Sequence, residues 1–236
     1  MNNKLFIKRG TKLVGVCEYQ DRTDITTVRI PEGVKRVGRG AFCRCMSLRD
    51  VSLPRSLRII GEMSFACIGI REIVIPDGVQ FIDERAFAFN HELRSVHIGK
   101  GVKHILPGAF SGCPNLKNIT IDPQNDYYYV QNGCLIDKEE EKLIVACSPY
   151  KVFEGVKIIE NLAFMFLTNC DSITLPTSVE HINMSGSRIK NFDMCRRLEY
   201  GKDNEMTVNK PIVIKAPKGS YAEKFAIENN INFEEI

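Results

Sequence analysis

Apolar and polar positions alternate in short bursts along the chain rather than in helical stripes. Val28-Arg29-Ile30 alternates with period two, which predicts a short strand with Val28 and Ile30 inward and Arg29 outward. Pro31-Glu32-Gly33 follows as a turn, Pro suiting its second position and Gly its fourth. Val34 and Val37 then point inward on a second side, Ala41-Phe42 and Cys45 on a third, and Leu48 leads into the next strand. The burst recurs as VRIPEGVKRVGRGAFCRCMSLRD (28–50), VSLPRSLRIIGEMSFACIGIRE (51–72), IVIPDGVQFIDERAFAFNHELRS (73–95) and VHIGKGVKHILPGAFSGCPNLKN (96–118), with lengths of 23, 22, 23 and 23 residues.

One such coil cannot bury its apolar residues alone, whereas stacked coils bury them continuously. Stacking aligns Phe42, Phe65, Phe87, Phe110 and Phe164 as a ladder. FEGVKIIENLAF (153–164) restates the middle of the unit and ITLPTSVEHI (173–182) its start; the copy opening at Ile119 is interrupted up to about Tyr150. The expected organisation is a single domain. It runs from a cap (1–27) through four regular repeats (28–118), an interrupted repeat (119–150) and two degenerate repeats (151–191) to a loop, last strand and cap (192–236).

The unit I-x-I-P-x-G-V-x-x-I-x-x-x-A-F-x-x-C-x-x-L resembles the BspA-type leucine-rich repeat, and Leu48-Arg49-Asp50-Val51-Ser52-Leu53 carries the general strand signature of such repeats. APKGSYAEKFAIENNINF (216–233) is similar to a closing segment common in that family. The resemblance implies a leucine-rich-repeat solenoid, a right-handed, β-rich α/β superhelix. Its short parallel strands would form a sheet on the concave face, with short helical turns elsewhere and a C-terminal capping helix. It also implies a scaffold for adhesion or recognition. Leu167 and Cys170 stand in each other's expected places, and the last copy lacks Ala-Phe.

The ends and the interruption have their own signals. Leu5, Ile7, Leu13, Val14 and Val16 suit short strands of a first cap, which shields an otherwise open sheet edge. Ser220-Tyr221-Ala222-Glu223 reads as a capping box opening a helix to about Glu228, ended by Asn229 and Asn230, after a last strand at 212–214. Asn132-Gly133 and the polar run Lys138–Glu141 predict a hairpin of Cys134–Asp137 and Lys142–Ala146 projecting from the stack. The charged, patternless segment 193–210 is expected to be a surface loop.

Composition narrows the function classes. A net charge of +3 from 32 basic and 29 acidic residues offers no basic stripe, so nucleic acid is not an expected partner. No apolar run approaches the roughly 18 residues of a spanning helix, and the N-terminus lacks the about 7–15 apolar residues of a leader. Nine cysteines cannot all pair within one chain. The expectation is a cytoplasmic protein with free thiols, with an exported protein whose leader is missing from this sequence as the alternative.

Catalytic signals are weak. Cys43-x-Cys45 has no second pair to complete a zinc site, and Cys45, Cys67 and Cys113 fall near one coil position that suits a small buried side chain. His91, His97, His104 and His181 sit in no nucleophile motif. No catalytic residue, metal site or cofactor is therefore expected. Tyr127, Tyr128 and Tyr129 are expected to anchor the interruption through alternate rings, leaving the outward members for contact. The outward strand positions Arg29, Asp50, Ser52, Glu72, Val74, Ser95, His97, Asn118 and Thr120 form continuous columns, since neighbouring strands lie about 4.8 Å apart. These columns and the tyrosines are the candidate binding residues of a non-catalytic scaffold for a protein or peptide, monomeric rather than obligately oligomeric. An exported adhesin or receptor-like ectodomain is the second reading, and an enzyme with a dispersed Cys/His site a remote third.

Overall fold

The computed structural model describes residues 3–160, 162–164, 171–183, 198–200, 206–208 and 212–236, with side chains at 198–200 and 206–208 left aside. The chain forms stacked β-coils in two compact units, residues 1–130 and 131–236. In chain order the first unit holds β1 (Lys4–Phe6), β2 (Leu13–Val14), β3 (Thr27–Arg29), β4 (Arg36–Val37), β5 (Asp50–Ser52), β6 (Ile59–Ile60), β7 (Glu72–Ile75), β8 (Phe81–Ile82), β9 (Ser95–Ile98), β10 (His104–Ile105) and β11 (Asn118–Ile121). β12 (Tyr128–Gln131) runs across the division.

Each coil contributes one longer strand and, past a turn, one two-residue strand; the turn is Pro-x-Gly at 31–33 and 76–78, Pro54-Arg55-Ser56 in the second repeat and Gly99-Lys100-Gly101 in the fourth. The two-residue strands stack in parallel as β2-β4-β6-β8-β10. The longer strands stack as β1-β3-β5 and again as β7-β9-β11. Registers follow the repeat: Thr27 lies beside Asp50, Arg29 beside Ser52, Glu72 beside Ser95 and Val74 beside His97. In the first unit the third side of each coil is a run of turns with Ala-Phe or its equivalent facing inward.

The core sits between the three sides. Val28, Val37, Phe42, Leu48, Ile60, Phe65, Ile75, Ile82, Phe87 and Ile98 are all fully buried or nearly so. Phe42, Phe65, Phe87 and Phe110 stack at successive centroid spacings of 5.3, 5.4 and 5.5 Å. Tyr19 extends this ladder on its first side, 5.3 Å from Phe42, so the first cap is itself a coil with tyrosine in the phenylalanine place. Phe164 belongs to the second unit, where its ring lies 5.6 Å from Tyr150 and is tilted by 46°.

Two polar devices hold coil to coil. The carboxylate of Glu32 accepts from the N–H groups of Arg55 and Ser56 in the next coil, and Glu154 accepts in the same way from Thr177 and Ser178. The Thr177 hydroxyl, foremost, and these N–H groups hold Glu154 below its ordinary range, and the N–H groups of Arg55 and Ser56 do the same for Glu32. After Phe42, Phe87 and Phe110 the position three residues on serves carbonyls of the stack, while after Phe65 it is the apolar Ile68. Cys45 donates to Tyr19 O, Cys113 to Phe87 O, and the Asn90 amide to both Phe65 O and Phe87 O. The site is thus small and buried, as the spacing predicts for Cys45 and Cys113, but its residue is there to donate a hydrogen bond.

The second unit contains β13 (Cys134–Asp137), β14 (Lys142–Ala146), β15 (Ile158–Ile159), β16 (Ser172–Thr174), β17 (His181–Ile182), β18 (Leu198–Tyr200), β19 (Met206–Val208), β20 (Val213–Ala216), α1 (Tyr221–Glu228) and β21 (Asn232–Glu235). The β13–β14 hairpin has the predicted bounds but does not project. β14 pairs in parallel with β15, and β15 with β17, so the hairpin is built into the sheet. Leu135, Ile136, Leu143, Ile144 and Val145 are apolar on both strand faces and all buried, which a protruding hairpin could not satisfy. Gly133 enters the hairpin at φ +73°, where a Cβ would fall 2.4 Å from Pro149 O.

Within 193–210, expected to be loop, Leu198–Tyr200 and Met206–Val208 pair as an antiparallel hairpin. Ser220 caps α1 by accepting from Glu223 N–H, as predicted, while the Glu223 carboxylate accepts from Gly219 N–H. β21 then adds a strand beyond the expected last one, parallel to β20. The exchanged pair Leu167 and Cys170 lies outside the described residues.

Candidate functional site

The outward columns of the first unit arise because each longer strand alternates strictly, one apolar residue in and its neighbours out. On β3 and β5 the columns are cross-linked. The guanidinium of Arg29 donates to both carboxylate oxygens of Asp50, at 2.7 and 2.5 Å. That bidentate contact lowers the Asp50 pKa and raises that of Arg29. On β9 and β11, His97 Nδ1 and Thr120 Oγ1 lie 2.9 Å apart. Val74 stands between these polar pairs as an exposed apolar side chain, 62% accessible.

An open depression of about 1590 Å³ lies over β5 and β7. Of the residues proposed from the sequence it brings together Arg29, Asp50, Ser52, Glu72, Val74 and His97. Ser95, Asn118 and Thr120 continue the same columns beyond it. Its rim also carries Arg49, Arg55, Arg71 and Asp77, which the strand alternation did not single out because they lie in the turns at the strand ends.

The depression coincides with a break in the sheet. Among the described residues no hydrogen bond joins β5 to β7, whereas β3 pairs with β5 and β7 with β9. At the regular junctions Arg49 and Asp50 donate to Thr26 O, and Arg94 and Ser95 donate to Arg71 O. The corresponding bonds from Arg71 and Glu72 to Arg49 O are missing; Gly69 N–H meets Leu48 O instead, at 2.9 Å. The cause is the 22-residue repeat, which is one residue shorter between Phe65 and Glu72 than its neighbours are between phenylalanine and strand. Arg49 lies against Gly69, where a Cβ would fall 1.5 Å from Nη1, and donates to Met46 O and Leu48 O. Val51 and Leu53, inward by pattern, are only half-buried, while Val28, Ile30, Ile73, Ile75, Val96 and Ile98 are buried.

The tyrosines divide. Tyr128 is buried, accepts from Ile105 N–H at 3.0 Å and donates to Lys103 O at 3.2 Å, so it is an anchor with no surface to offer a partner. Tyr127 is exposed and lies 5.7 Å from Lys103 Nζ, a cation–π contact. Tyr129 is half-buried.

Among the described residues the thiols and imidazoles do not assemble into a reactive pair. Burial pushes Cys45 up to about 11 and Cys113 and Cys134 up to about 12, away from a nucleophilic thiolate. His104 packs against Phe81, with ring centroids 4.3 Å apart. No cluster of three metal-ligating side chains is present among the described residues, and no described helix is long and apolar enough to cross a membrane.

Repeat, register and stacked rings agree with what the family comparison finds. The BspA type leucine rich repeat region matches in six copies, over residues 14–137 and 147–207. The chain belongs to that family. In structure it is similar to a leucine-rich repeat protein from Eubacterium ventriosum, with a TM-score of 0.62 and 20% identity, covering 90% of this chain and 59% of that one. The chain thus spans somewhat over half the length of that relative. The pneumococcal vaccine antigen PcpA is similar with a TM-score of 0.55 and 12% identity, covering 99% of this chain and 89% of that one. At these identities the likeness is one of fold. No curated protein matches. Leucine-rich-repeat proteins of this kind are generally non-catalytic and generally bind proteins.

Proposed function

We propose that this chain is a non-catalytic scaffold whose longer-strand sheet, in the first unit, binds a protein or peptide ligand. The observation that carries this reading is the open depression over β5 and β7, where side chains of both charge signs surround the exposed Val74 above an apolar core. Desolvated apolar area with a polar rim is the usual make-up of a protein-binding surface. The burial of Cys113 and Cys134, which raises both thiols, supports a non-catalytic reading of the described cysteines.

The test is affinity capture with the wild-type chain beside a variant in which Arg29, Asp50, Glu72 and His97 are all alanine. A partner retained by the wild type and lost by the folded variant supports the reading. Identical retention by both moves the site away from this sheet. We place the protein in a reducing compartment, because nine cysteines leave at least one unpaired and Cys45 and Cys113 use their thiols as hydrogen-bond donors. Display outside the cell is the competing reading, and protease accessibility on intact cells decides between them.

A further inference from the structure

We infer that the break between β5 and β7 is a docking groove for an extended peptide segment of alternating apolar and acidic residues from a partner protein. This deepens the scaffold reading and rests on it.

The first support is the backbone. In a parallel ladder the N–H and C=O of one residue point to the same side, and alternate residues point to opposite sides. Asp50 N–H donates to Thr26 O and Ser52 O accepts from Ile30 N–H, so Asp50 and Ser52 face β3. Val51 therefore faces the break. On the other bank Ile75 O accepts from Gly99 N–H and faces β9, which leaves Glu72 and Val74 facing the break. Two open edges thus confront each other, β5 of one three-stranded sheet and β7 of the next. Open edges of this kind pair with an added strand, whose main chain supplies affinity and whose alternate side chains supply specificity.

The second support is the floor. Val51 and Leu53 are half-exposed where every equivalent residue of the neighbouring strands is buried. An apolar side chain at every second position of a bound segment would cover them.

The third support is charge. The lining carries Arg29, Arg49, Arg55 and Arg71 against Asp50, Glu72 and Asp77. Asp50 is matched by Arg29, and Asp77 accepts from Lys100 N–H. Arg55 meets Glu32 through its backbone N–H, but among the described residues its guanidinium forms no ion pair, and Arg71 reaches only Glu92, at 3.9 Å. The two guanidiniums stand at opposite ends of the strands and suit carboxylates on a segment running along the groove.

A random octapeptide display library selected on the full chain tests this. The expected clones alternate apolar and acidic residues. R55E/R71E should weaken them by roughly tenfold or more, the loss of one charge-assisted hydrogen bond being about that size. Inserting one Asn between Ile68 and Gly69 restores the repeat length, closes the sheet and should abolish binding, with circular dichroism confirming the fold. Methylating alternate amides of a selected peptide should abolish binding as well. The inference is overturned by an absence of enriched clones, by basic clones, by binding that survives amide methylation, or by equal binding to the inserted variant. Clones that bind the inserted variant yet fail on the fourfold alanine variant would sink the groove and leave the scaffold reading standing. Concentration-dependent mass of the chain alone, lost on the insertion, would identify a second copy as the occupant and overturn the partner assignment.

Discussion

Arg29 on β3 grips both carboxylate oxygens of Asp50 on β5, which lies two residues along the strand from Ser52, the residue directly opposite Arg29. Both side chains remain about half accessible, at 47% and 53%, so water screens the pair and its contribution to stability is below about 1 kcal/mol. R29A or D50N should therefore shift the thermal midpoint little while altering the charge pattern beside the groove. The pair lowers the folded pKa of Asp50 below its ordinary 3.8. Its small contribution is present above that value and is lost as pH falls through the lower, folded one. Wild type and D50N should differ by less than about 1 kcal/mol near neutrality and coincide in strong acid on urea titration; a larger difference near neutrality would contradict the screening argument.

Phe65 occupies the centre of the ring ladder, with Phe42 on one side and Phe87 on the other, and is fully buried. F65A removes the ring that stacks on both Phe42 and Phe87 and opens a cavity in a close-packed interior, at a cost of about 3–5 kcal/mol. F65L should cost less because it refills part of the volume. Chemical denaturation of the two variants checks the order; equal losses would mean that the ladder is not the main packing element of the coils.

Ser64 stands where Ala41, Ala86 and Ala109 stand in the other coils, and its hydroxyl is buried with no hydrogen-bond partner. A buried hydroxyl without a partner carries a desolvation penalty of about 1–3 kcal/mol. S64A restores the repeat and is expected to raise stability, by about 1 kcal/mol after the small loss of contacts. A stability decrease on denaturant titration would show that the hydroxyl is satisfied in solution.

The thiols should react in an order set by burial. Cys17 is exposed, whereas Cys45, Cys113 and Cys134 are buried with pKa values of about 11, 12 and 12. At pH 8 a mapped alkylation of the folded chain should modify Cys17 promptly and the three buried thiols only as fast as the protein opens. Prompt labelling of Cys113 would contradict the packed core and revive a thiol-based chemistry.

The repeat, the inward residues and the hairpin bounds Cys134–Asp137 and Lys142–Ala146 were legible because each is a property of local alternation and turn chemistry. Tyr19 was not recognised as the first rung, since nothing in Glu18-Tyr19 resembles Ala-Phe until the coils are stacked. The embedding of the β13–β14 hairpin was written in its two-sided apolar pattern, which a protruding ribbon would not carry. The caps from Glu32 to Ser56 and from Glu154 to Ser178 span a whole coil, so a single repeat read alone shows only a turn. The candidate site was legible as columns but not as a groove. A one-residue deletion is visible as a length of 22, yet its effect appears only when the bonds of both neighbours are laid side by side.

That deletion makes the last prediction specific to single amides. Glu72 and Val74 offer their N–H groups to a strand with which no hydrogen bond is made, while Ser95 on the next strand donates to Arg71 O. Native-state hydrogen exchange should therefore show Glu72 and Val74 exchanging much faster than Ser95, although all belong to one stack. The residue inserted between Ile68 and Gly69 should restore protection at both and leave Ser95 unchanged. If Glu72 and Val74 are as protected as Ser95 in the wild type, the strands close in solution, the short repeat is absorbed elsewhere in its coil, and the groove does not exist.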